Sequence, residues 1–256
     1  MVTQKLGQVL ESVTSDALDS DYFLEESRER ERDYSKSCYL RWKDTLEIAL
    51  SYLGGGEART ALDVGVSQFT LCLPEFFAKV YALDLTEAFE QRCARHGIKL
   101  YHGGVHVDGT VEPIPKVDCV FFLDAIEHIH DNPVDILTRL HSRLTDNGIL
   151  VVSTCNMMCL GNRIRMLRNK KLVHFTYPPF QKPLYNAHGF AHDRIYCPEE
   201  LGEYMSAAGC SKVDCIYPMA GDIRLAKLTS PTEMMSYLLK KAFPSLRATM
   251  LFVGRK

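Results

Sequence analysis

"TALDVGVSQFT", residues 60–70, decides how this chain is read. Thr60–Val64 is an apolar run broken by one acid, Asp63, and it stops at Gly65, the form of a buried strand entering a glycine turn. Glycine lacks the Cβ that would keep a ligand off the backbone, and a helix starting there offers unpaired N–H groups to a polar or negative group. The stretch therefore begins a nucleotide-type cofactor site. A dinucleotide fingerprint would carry glycines at 67 and 70 as well, but Ser67 and Thr70 occupy them, which argues against NAD.

Outward from this turn, strand and helix patterns alternate. "KVYALDL", "IKLYHGGV", "VDCVFFLDAI" and "GILVVSTC" read as strands, while "FTLCLPEFFA", "EAFEQRCARHG" and "NPVDILTRLHSRLTDNG" read as helices. Such alternation implies a parallel sheet covered on both faces, with ligands at the carboxyl ends of its strands. Upstream, "YLRWKDTLEIALSYL" has helical spacing and is stopped by "GGGE"; residues 1–35 are polar, with the charge run "EESRERERDYSK", and read as a helical arm, solvated or capping a site. Downstream, residues 156–196 carry prolines, aromatics and basic residues around a helix candidate, "GNRIRMLRNKK", and read as a lid. "CPEELGEYMSAAG" and "PTEMMSYLLKKAF" then read as helices, and "CSKVDCIYP" and "ATMLFVGRK" as strands.

Composition bounds the function classes. A chain of 256 residues with 46% hydrophobic content can bury a core without staples. A net charge of −2 gives no global reason to expect nucleic acid or an anionic membrane as a partner, although local basic patches remain open. No run suits a membrane-inserted span and the N-terminus lacks signal-peptide features, so a cytoplasmic location is expected. Nine cysteines without a C-x-x-C pair read as reduced, mostly buried thiols.

The remaining strand ends carry acids. Asp84 closes the second strand beside Leu85, Asp108 lies between Val107 and Gly109 ahead of a Pro-rich turn, and Asp124 and Ala125 follow the fourth strand and precede "IEHI". With "LDVG" and "LTDNGILVVST", this combination resembles the class I S-adenosylmethionine-dependent methyltransferases over residues 36–256. The resemblance implies a doubly wound, seven-stranded, mostly parallel α/β sheet, Rossmann-like, with an antiparallel C-terminal hairpin. It also implies S-adenosylmethionine as cofactor, no metal, and a cradle of Asp63, Val64 and Gly65. Asp84 and Leu85 would meet the ribose, Val107, Asp108 and Gly109 the adenine, and Asp124 and Ala125 the floor below the sulfonium. Where the family pattern D-x-G-x-G-x-G has its second and third glycines, this chain has Ser67 and Phe69. Ser67 is small enough to face the cofactor carboxylate, and Phe69 is expected to turn into the helix packing.

Methyl transfer is a direct displacement, so the protein must align the acceptor and, where needed, take a proton. His128 and His192 are the candidate bases. His188 and His192 share i, i+4 spacing, but a glycine between them and the lack of a third ligand argue against a metal. The aromatics Phe175, Tyr177, Phe180, Tyr185, Phe190 and Tyr196 suit a ring-bearing acceptor, and Arg163, Arg165, Arg168, Lys170 and Lys171 an anionic one. The expected activity is methylation of oxygen or nitrogen on a small molecule, with a homodimer left open. A silent cofactor-binding protein and an NAD(P)-dependent oxidoreductase are the alternatives.

Overall fold

The computed structural model describes residues 5–12, 25–170, 172, 194–219 and 230–256, with side chains omitted over 25–37. Seven strands form one sheet: β1 (Thr60–Val64), β2 (Lys79–Asp84), β3 (Lys99–His102), β4 (Val117–Leu123), β5 (Leu144–Cys155), β6 (Lys212–Ile216) and β7 (Thr249–Arg255). Their order is β3-β2-β1-β4-β5-β7-β6. β1 to β5 run parallel, and β7 pairs antiparallel with both β5 and β6. This is the expected sheet with its antiparallel end.

The helices are α1 (5–12), α2 (Glu25–Leu53), α3 (Gln68–Cys72), α4 (Glu90–Arg95), α5 (Pro133–Ser142), α6 (Leu160–Leu167), α7 (Pro198–Ala207) and α8 (Pro231–Ala242). Alternate residues of the central strands enter two separate cores. Ala61, Ala82, Phe121 and Val151 pack under α2, where Trp42, Leu46 and Ala49 are buried. Leu62, Leu83, Phe122 and Val152 pack beneath α5 and α7 against Ile136, Leu137, Leu140, Leu201 and Met205. Near-continuous apolar strands follow from burial on both faces, since each successive side chain meets a different helix layer.

Two boundaries differ from the sequence reading. The helix expected through "LTDNG" ends at Ser142, and that turn lies within β5, where pairing with β4 jumps from Val117↔Leu144 to Cys119↔Ile149. The irregularity absorbs a turn that periodicity alone assigns to a helix end. The boundary expected at residue 35 falls inside α2, and α1 buries Leu6 and Leu10 in the α2-side core. All nine cysteines are free and six are buried, as hydrophobic fillers.

Candidate cofactor and active site

Parallel strands bring their carboxyl ends to one edge. Asp63 pairs in register with Ala82 of β2 and Phe121 of β4, so Asp63, Asp84 and Asp124 fall on neighbouring strands at that edge. Gly65 turns out of β1 with φ +91, held by its N–H bonded to Leu83 O at 2.9 Å. A Cβ there would meet nothing within 4 Å, so the backbone conformation demands glycine and the space beside it is open.

Side chains, rather than further glycines, shape the rest of the turn. Ser67 is the N-cap of α3 in extended backbone, φ −144, a region any residue adopts. Its Oγ accepts the Phe69 N–H at 3.2 Å, while Thr70 Oγ1 accepts the Ser67 N–H at 2.8 Å and donates to Asp63 Oδ2 at 2.6 Å. Asp84 closes the turn from the next strand: Oδ2 accepts the Val66 N–H at 2.7 Å and Oδ1 the Thr86 N–H at 2.9 Å. Phe69 points into the core, edge-on to Phe121 with ring centroids 5.2 Å apart, and leaves the turn unplugged.

Burial sets the electrostatics. Asp63 is 2% exposed, and desolvation pushes it up to about 7 despite the lowering effect of the Thr70 hydroxyl and the Val64 backbone; the charge of Asp84 adds to the rise. Asp124 adopts φ +48, uncommon for a residue with a side chain. Its Oδ1 accepts Ser153 Oγ at 3.0 Å, and its Oδ2 lies 3.0 Å from Arg41 Nη2 of α2. Behind it, Glu127 is 1% exposed and accepts Thr154 Oγ1 at 2.9 Å. Desolvation, then the Asp124 charge, push Glu127 up to about 8.

The other expected residues are less enclosed. Val64 is buried, Ala125 half-buried, and Leu85 lies exposed at the end of β2. Val107, Asp108 and Gly109 form an exposed loop after β3, in which Asp108 pairs with Arg139 of α5 and Gly109 has φ +83. The same loop folds toward β2, since a Cβ on Gly104 would lie 3.0 Å from Leu85. His128 is half-buried in the short helix Ile126–His128, its N–H bonded to Ala125 O at 3.0 Å. His188, His192, Lys171 and the aromatics Phe175, Tyr177, Phe180, Tyr185 and Phe190 lie outside the described residues. Tyr196 is buried, edge-on to Tyr204, and so belongs to the core.

Thr70, Arg41 and Glu127 join the candidate site through their neighbours, although sequence reasoning did not select them. Glu127 could have been noticed as an acid between the apolar Ile126 and His128 at a strand end. Arg41 carries no such signal, because its partner is 83 residues away in the chain and meets it only through the packing of α2. Among the described residues, no group of His, Cys, Asp and Glu could hold a metal ion.

Comparison with known proteins agrees with this fold. The chain matches the family model for a methyltransferase domain over residues 50–214. No curated protein matches it significantly. Among solved structures it resembles a SAM-dependent methyltransferase from Thermotoga maritima at 14% identity and TM-score 0.54, covering 89% of this chain and 95% of that one. A SAM-dependent methyltransferase from Archaeoglobus fulgidus gives 15% identity and TM-score 0.55, covering 87% and 99%. The Burkholderia thailandensis 1,6-didemethyltoxoflavin N1-methyltransferase, solved with its substrate and S-adenosylhomocysteine, gives 16% identity and TM-score 0.52, covering 93% and 92%. With a family match across most of the sheet and a strand order that agrees, the chain belongs to the class I S-adenosylmethionine-dependent methyltransferases.

Proposed function

We propose that the protein methylates oxygen or nitrogen of a small-molecule acceptor, with the turn after β1 and the ends of β2 and β4 holding S-adenosylmethionine. The observation that carries this reading is Gly65, whose φ of +91 and open flank leave backbone exposed to a ligand at the edge where the acids gather. The residues present fit the cofactor. Each Asp84 oxygen accepts one backbone N–H and retains a lone pair, so the carboxylate is fixed in place yet can still accept from two ribose hydroxyls. Asp63, costly to ionise while buried, suits an ammonium, whose charge would stabilise the carboxylate. Val107, Asp108 and Gly109 stand on the loop nearest the end of β2, on the side where an adenine would follow the ribose.

When bound, the cofactor supplies an electrophilic methyl group on a sulfonium, open to displacement by an acceptor lone pair. Asp124 and Ala125 form the floor of that region, with Ser153 and Arg41 fixing the Asp124 carboxylate. His128, in the turn that follows, is the described residue suited to accept the acceptor's proton; His192 is the second candidate. The Burkholderia protein is an N1-methyltransferase of 1,6-didemethyltoxoflavin, which supports a small-molecule nitrogen acceptor for this fold.

A thermal-shift screen tests the reading. S-adenosylmethionine and S-adenosylhomocysteine should each raise Tm, with stabilisation of about 2.7 kcal/mol at a hundredfold excess over Kd, and NAD should not. Stabilisation by NAD alone would overturn the assignment. Cofactor binding without labelled methyl transfer to any oxygen or nitrogen acceptor in a broad panel would favour a silent binding protein.

A further inference from the structure

We propose that α6 and α8 form a peripheral docking surface for an anionic lipid bilayer, beside the carboxyl edge of the sheet. This inference does not depend on which acceptor is methylated. α8 is well specified, with a capping box between Ser230 and Glu233, yet none of its 12 residues is buried. Met234, Met235, Leu238 and Ala242 share one arc of the helix. Met234, Met235 and Leu238 are 43%, 58% and 50% exposed, and Phe243, just beyond, is 57% exposed. A surface helix ordinarily turns such an arc toward the core. On α6, Ile164 and Leu167 share a second arc at 40% and 87% exposure, with Arg163 and Arg168 on either side of it.

Both helices sit at the same edge. α6 begins shortly after β5 ends at Cys155, and Cys155 pairs with Thr249, where β7 begins after α8. Asn156 Nδ2 donates to Ser245 O at 2.9 Å and Arg247 O at 2.8 Å, and Arg247 Nε donates to Lys240 O at 3.0 Å. The root of α6 and the last turn of α8 are thus joined through two residues.

Charge identifies the occupant. The chain carries a net charge of −2, yet it has no Asp or Glu between Asp146 and Asp193. Arg163, Arg165, Arg168 and Lys170 lie on or just after α6, and Lys240 and Lys241 end α8. Exposed Leu, Met and Phe interleaved with cations match the boundary between anionic headgroups and acyl chains, where Arg and Lys reach outward to the headgroups. Nucleic acid would leave the apolar arcs in water. A two-fold contact with a second copy would set cations against cations.

The test uses the full chain and sedimentation with vesicles of phosphatidylcholine alone or mixed equally with phosphatidylglycerol. Binding should be on the order of tenfold tighter to the anionic vesicles and should weaken with salt. The double variant Leu167→Ser/Leu238→Ser and the double variant Lys240→Gln/Lys241→Gln should each weaken it at least about fivefold. Their Tm and the shift induced by S-adenosylhomocysteine should stay unchanged, which separates this surface from the cofactor assignment. No sedimentation, equal binding to neutral vesicles, or wild-type binding by both variants would overturn the proposal. So would a dimer in solution that Leu238→Ser dissolves, which would assign the face to a second copy.

Discussion

Arg41 Nη2 lies 3.0 Å from Asp124 Oδ2, so α2 is tied directly to the end of β4, the proposed floor of the methyl-transfer region. Both side chains are about one-fifth exposed, at 22% and 21%. Partial solvent screening limits the pair to about 1 kcal/mol of stability. Its larger role is positional, because Asp124 is held in a left-handed conformation and Ser153 and Arg41 together aim its carboxylate.

Arg41→Gln should therefore lower kcat more than it lowers affinity for S-adenosylhomocysteine. Calorimetric titration alongside single-turnover methyl transfer checks this. A loss confined to cofactor affinity would place Arg41 elsewhere in the mechanism.

Binding should be linked to protons through Asp63. Its folded value of about 7 lies above the ordinary carboxylate value of 3.8, so the free protein holds a proton there below pH 7 and must release it to meet an ammonium. Affinity for S-adenosylhomocysteine should rise by up to about tenfold per pH unit below 7 and level off above it. Titrations in buffers of different ionisation enthalpy should show proton release at pH 6. In the free protein the same raised value makes the contribution of Asp63 to stability fullest below pH 3.8, declining as pH rises through 7.

Gly65→Ala should lose affinity for S-adenosylhomocysteine beyond any change in stability. The left-handed backbone costs a side chain about 1–2 kcal/mol, and the added methyl would occupy the open flank of the turn. Asp84→Asn should also weaken binding, because one oxygen is lost and the amide would set a donor against Val66 or Thr86 N–H. Denaturant unfolding together with calorimetry separates the two effects.

The two departures from the glycine pattern should behave differently when changed. Ser67→Gly removes a cap at a cost of roughly a few tenths of a kcal/mol, and affinity should hold within about threefold. Phe69→Ala should cost about 3–5 kcal/mol, because the ring is buried against Phe121. Chemical denaturation of both variants checks the contrast.

Much of the fold is legible in the chain itself. Runs such as "CVFFL", residues 119–123, are apolar at every position because both faces of the sheet are covered, and the intervening helices declare themselves by period. The acids at the strand ends and Gly65 could also be read directly, since a polar residue closing a buried run has few structural uses. Local sequence likewise determined that residues 67 and 70 are not glycine. Only tertiary structure showed why the turn closes without them: Thr70 bonds Asp63 within the turn, while Asp84 reaches across from β2 to Val66. Arg41 meeting Asp124, and Glu127 buried against Thr154, were likewise decided by packing. Periodicity records which face of an element is buried, whereas a side chain's partner depends on which other element the sheet order and helix packing bring beside it.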